Sequence, residues 1–206
     1  MQLTGVLSIG LLIAIAFLEL DSKGRVVNFD LAKKAKRLLS LWLTTTFIYI
    51  LVQIAYLLDQ PITASFDLTV IRSYLTQTSI GKSYLIQIIG IIVVLAISLK
   101  KIISTYLALL ISLIAITASI FQSHGSTSGH HGLAIGALVI HVIALSFWVG
   151  GLFGLTQLGK EHKLIALPRF SAIALWSAIA VALTGAATAW TRLDSIQAWQ
   201  SKYGAV

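Results

Sequence analysis

Apolar residues come in six long runs along this chain: Leu3–Leu20, Leu38–Leu58, Tyr84–Leu99, Ile102–Phe121, Leu133–Leu158 and Phe170–Trp190. Crossing a bilayer as a helix takes about 20 residues at about 1.5 Å each, which makes the third run short and the fifth long. Inside lipid a segment must satisfy its own backbone hydrogen bonds, so each run is expected to be a helix. The pattern predicts an all-α fold, a polytopic membrane bundle of six transmembrane helices forming a single domain over residues 1–206. The first run has no basic stretch ahead of it and a charged one behind it, so it reads as a span and not as a cleaved signal peptide. In the longest connection, residues 59–83, Phe66, Leu68, Ile71, Tyr74 and Leu75 predict a short amphipathic helix lying on the membrane surface.

Composition agrees with a membrane location. The chain is 57% hydrophobic and only 11% charged, where a soluble domain carries roughly 25% charged residues. The net charge of +8 comes from lysines and arginines placed in the short stretches between apolar runs. There they act as topology determinants and contacts to lipid head groups, so the expected partner is the bilayer and not nucleic acid. Eleven of the 15 basic residues fall in stretches 21–37, 100–101 and 159–169, against Arg72, Lys82, Arg192 and Lys202 on the other side. The positive-inside rule then puts the N-terminus outside and the 21–37 stretch in the cytoplasm, for a multi-pass protein of the cytoplasmic membrane.

Histidines carry the candidate chemistry. His124, His130 and His131 lie where a polar loop runs into the fifth apolar run, and His141 lies inside that run. An ionisable residue within a span is costly without a partner, and neutral imidazole is the commonest metal ligand. From His130 to His141 a continuous helix rises about 16 Å, so the two cannot hold one ion directly. The spacing suggests an outer collecting site, His124 with His130 or His131, above an inner site containing His141. Gln53, Tyr56, Gln87, Thr184 and Thr188 are candidates to hydrogen-bond such a site or to join helices. Trp148 follows His141 by two turns, and Gly150, Gly151 and Gly154 give the fifth helix a small face for close packing. His162 stands alone at the opposite end, as expected of a solvated loop residue. With no cysteine and no methionine beyond Met1, a metal site here must use imidazole with oxygen donors. No phosphate-binding loop, nucleophile elbow or pair of intramembrane carboxylates is present, so an enzyme is not expected.

The stretch His141-Val-Ile-Ala-Leu-Ser-Phe-Trp148-Val-Gly150-Gly151-Leu152 resembles the signature helix of the copper resistance D (CopD) family of membrane proteins. Arg169-Phe170-Ser171, Leu183-Thr184-Gly185, Tyr203-Gly204 and His124-Gly125 are similar to further family motifs, in the same order. So is Thr78-Ser79-Ile80-Gly81-Lys82-Ser83-Tyr84, which leads into the third run. The resemblance covers approximately residues 66–206. It implies copper as the ion handled, His141 as the intramembrane histidine and His124 as the loop histidine. It also implies a role in copper uptake, copper tolerance or copper supply for oxidase assembly. The partners implied are a periplasmic or extracellular copper carrier or an oxidase-assembly protein. Family chains continue past Tyr-Gly by about two helices, so this chain is expected to lack the last helices or to be part of a longer, sometimes fused, protein. Two other classes remain open: a haem-binding membrane electron-transfer protein, and a structural membrane subunit in which His141 only packs.

Overall fold

A computed structural model describes residues 1–18, 29–122 and 131–192, and among these no β-strand occurs. The helices are α1 (Gln2–Ile13), α2 (Phe29–Leu58), α3 (Leu68–Gln77), α4 (Ser79–Ala96), α5 (Ile102–Thr117), α6 (His131–Leu145), α7 (Gly151–Thr156) and α8 (Lys160–Arg192). A π turn, Ala14–Leu18, extends α1, and a second, Ser146–Gly150, joins α6 to α7 in one continuous rod. Five helical stretches are long and apolar enough to cross a membrane: Phe29–Leu58, Ser79–Ala96, Ile102–Ile120, Ile135–Thr156 and Lys160–Trp190. A shorter apolar helix, Gln2–Leu18, makes the sixth. The protein is an all-α, multi-pass membrane protein.

The short helix is the centre of the bundle. Val6, Ile9 and Leu11–Ala16 are buried, as is Ser8. A helix that is apolar all round belongs inside, and α1 is packed by α2, α5, α7 and the second π turn. Its contact with the α6–α7 rod is backbone against backbone. A methyl group on Gly10 would strike the carbonyl group of Gly150, and one on Gly154 would strike the carbonyl oxygen of Gly10. Thr4 and Thr45 hydroxyls, 3.0 Å apart, tie α1 to α2. On α2, Leu31, Ala35, Leu39, Trp42, Thr46, Ile50 and Ile54 form a buried stripe at three- and four-residue spacing.

Two helices begin earlier than the apolar runs suggest. The α2 helix starts at Phe29, nine residues ahead of Leu38, because Leu31 and Ala35 continue the buried stripe while lysines occupy the other faces. One of those lysines, Lys36, donates from Nζ to the carbonyl oxygen of Leu95 at 3.0 Å, satisfying a carbonyl in the last turn of α4. The α8 helix starts at Lys160 and runs through Pro168, although proline lacks the N–H that would bond to Leu164.

The connection between α2 and α4 contains the expected amphipathic helix, α3, and part of its apolar face packs on the bundle. Val70, Ile71, Tyr74 and Leu75 pack onto Ile50, Ile54 and Tyr84 of the bundle, while Phe66 and Leu68 remain exposed. Asp67 caps α3 by accepting the N–H of Thr69 at 2.7 Å. Thr78 then caps α4 by accepting the N–H of Gly81 at 2.9 Å, and its own hydroxyl donates to the Tyr74 carbonyl at 2.8 Å. Any side chain at position 81 would collide with that carbonyl. The threonine and glycine of the Thr78–Tyr84 segment are thus the parts of one sharp helix–helix turn. Burial among these groups raises the Tyr74 phenol above its ordinary pKa, with Tyr49 as a lesser cause.

Candidate functional site

His141 lies on α6, ten residues past His131, and α8 packs against this stretch. Its Nδ1 stands 3.1 Å from Thr184 Oγ1 on α8. The threonine hydroxyl has only one proton, and that proton has a better acceptor: Oγ1 lies 2.6 Å from the carbonyl oxygen of Ala180, one turn earlier. A carbonyl oxygen cannot donate, so Thr184 donates to Ala180 and accepts from His141. The imidazole is therefore assigned the tautomer with its proton on Nδ1, and the lone pair sits on Nε2. Ligating histidines are commonly oriented in this way, one ring nitrogen bound within the protein and the other left for a metal.

A cavity of about 350 Å³ opens beside the ring, lined by Leu138, His141, Gly185, Thr188 and Ala189. A methyl group at Gly185 would rest 3.9 Å from His141 Cε1, an ordinary van der Waals contact. The Thr188 hydroxyl donates to the Thr184 carbonyl at 2.8 Å. Of the residues lining the cavity, His141 is the one that carries an imidazole. Among the described residues no three histidine, cysteine, aspartate or glutamate side chains converge on a point.

The other predicted residues are distributed as follows. His131 is the first residue of α6, about 15 Å of helical rise from His141, so these two do not share an ion. The side chain of His131, and His124 and His130 altogether, lie outside the described residues. Trp148 sits in the π turn and is 39% exposed, at the outer surface of the rod. Gly150 meets α1, and Gly151 lies against the Phe170 ring at the 2.9 Å that an added methyl would reach. Gln53 donates to Tyr49 within its own helix at 3.1 Å, and Tyr56 is exposed. Gln87, fully buried, donates to Thr46 at 2.9 Å and so joins α4 to α2. His162 is exposed at the start of α8. The Ala180 carbonyl, which fixes the hydroxyl of Thr184 and through it the imidazole, was not singled out from sequence. Its only signal is the four-residue spacing that lets any mid-helix threonine bond back to the preceding turn.

An apolar helical bundle with a half-buried, hydrogen-bonded histidine on one of its spans defines a polytopic membrane protein carrying a polar site within a lipid-spanning segment. The family model for the copper resistance protein D-like N-terminal domain matches residues 1–133, and the chain belongs to that family. The match takes in residues 1–65, which the motif resemblance left out, and ends before the His141–Leu152 stretch on which that resemblance chiefly rests. No curated protein and no solved structure matches the chain. Membership of this family makes copper the ion to be considered at the site.

Proposed function

We propose that the protein handles copper at the cytoplasmic membrane, with His141 Nε2 as the ligand that receives the ion within the bilayer. The observation that carries this reading is the Ala180–Thr184–His141 relay of hydrogen bonds, which engages Nδ1 of a ring that lines the cavity beside α8. Copper is cargo in this scheme. His124, His130 and His131 gather it on the outer face, and His141 takes it inward toward copper tolerance, uptake or oxidase assembly. An outer copper carrier or an oxidase-assembly protein is the corresponding partner. No second histidine lines the His141 cavity among the described residues, so bis-histidine haem ligation has no support there.

The test is Thr184→Val, which keeps the shape of the side chain and removes the hydroxyl. Copper affinity of the purified protein should fall about 10- to 100-fold, the usual cost of losing a group that orients a ligating histidine. Thr184→Ser should restore it. Equal affinity in all three proteins would remove the relay from the mechanism.

Orientation and outer capture can be checked in intact cells. With the N-terminus outside, a cysteine at Ser126 should react with an impermeant reagent and one at Ser22 should not; the reverse pattern inverts the scheme. Alanine at His124, His130 and His131 together should weaken copper capture. In the unmodified protein, capture should decline as pH falls through about 6.5, because protonated imidazole cannot bind a metal. A triple variant with unchanged capture and the same pH profile would return these residues to an ordinary solvated loop.

A further inference from the structure

The end of the bundle where α2 begins and α4 ends holds a second cavity, of about 300 Å³, remote in sequence from the histidines. Lys33 and Lys36 reach it from α2 and Lys100 from the turn between α4 and α5. Phe29 and Leu99 supply apolar wall, and Ser98 adds a hydroxyl. Lys36 is held in place by its bond to the Leu95 carbonyl. Among the described residues a neighbouring acid, Asp30, lies 3.9 Å from Lys34, which does not line the cavity. Three lysines from two separate stretches thus line one small space with a hydrocarbon wall.

We infer that this cavity binds a phosphate-bearing anion, the head group of an anionic phospholipid, with the lysines on the phosphate and Phe29 along the glycerol and acyl part. Two observations favour a lipid. The lysines sit at the ends of membrane spans, at the level where head groups lie, and Phe29 is 66% exposed beside them, an apolar surface that a soluble phosphate would leave in water. Basic pockets between spans have the charge and depth to hold a head group more tightly than a flat charged surface does.

Thermal unfolding of the purified chain in detergent, titrated with phosphatidylglycerol, phosphatidylcholine or inorganic phosphate, tests this. Phosphatidylglycerol should raise the unfolding temperature and phosphatidylcholine should not. Lys33→Gln with Lys100→Gln leaves the Lys36–Leu95 bond intact and should raise the half-saturating lipid concentration about thirtyfold, at about fivefold per lysine. Lys34→Gln with Lys101→Gln removes the same charge outside the cavity and should leave the titration unchanged. Should the first pair fold poorly without lipid, Lys100→Gln alone serves, with about a fivefold shift expected. A response to inorganic phosphate that the first pair abolishes would keep the anion site and make a free phosphate its occupant. Equal losses in both pairs, or no response of the unmodified protein to either anion, would overturn the inference.

Discussion

Replacing His141 by alanine is expected to abolish copper binding at the intramembrane site while the protein still inserts and accumulates. The two alternatives for this residue differ in size of effect. If His141 only joins α6 to α8, the loss is one interhelical hydrogen bond, worth about 0.6 kcal/mol on average where it has been measured in a membrane protein. That loss would appear as a small drop in folded protein, and His141→Gln, which keeps a polar group, would repair it. If His141 is the ligand, affinity should fall by more than the 10- to 100-fold attached to an orienting group, with abundance nearly unchanged. Copper binding by the purified variant, set beside its amount in the membrane, separates the two. Normal copper handling at normal abundance would sink the proposed mechanism.

The second large effect is expected at the crossing of α1 with the α6–α7 rod. Gly10→Val or Gly154→Val places a branched side chain where the partner's backbone already lies, so the helices must part. Overpacking of a side-chain core typically costs 1–3 kcal/mol, and a collision with rigid backbone belongs at or above about 3 kcal/mol. Little folded protein should remain, judged by its amount in the membrane and by unfolding in detergent. Gly136→Ala on α6 is the matched control. Nothing lies within 4 Å of the methyl it adds, and the gain in helix propensity is up to about 1 kcal/mol. If the control is as damaging as the crossing variants, the close approach of α1 to the rod is wrong.

These sites show how far the sequence could be read. Spans are legible because a long apolar run in lipid must satisfy its backbone within itself, as a helix, and that constraint is written in every run from Leu3 to Trp190. Helix starts are not, wherever charge and apolarity overlap. Lys33, Lys34, Lys36 and Arg37 look like a loop, although Leu31, Ala35, Leu39 and Trp42 continue a helical stripe beneath them. Pro168 hides the start of α8 in the same way. The packing role of Gly150 and Gly154 follows from their size, but their partner, Gly10, does not, because nothing local encodes which helix arrives. Likewise Thr184 could be named as a candidate beside His141, whereas the hydroxyl's bond to Ala180, and with it the tautomer, depends on the register of α8 against α6. The π turns leave no pattern in the residues at all.

The position of α1 has a consequence for biosynthesis. The helix at the centre of the bundle is made well before its cover, for the surface that closes over Gly10 is made only when Gly150 and Gly154 appear, some 140 residues later. At the roughly 5–20 residues per second of synthesis, this leaves α1 waiting for roughly 7–28 s with its glycine face bare. During that interval lipid, or an insertion factor, must stand in for the missing rod. Quality control that recognises an uncovered central helix would therefore act on any chain that stalls before the fifth span.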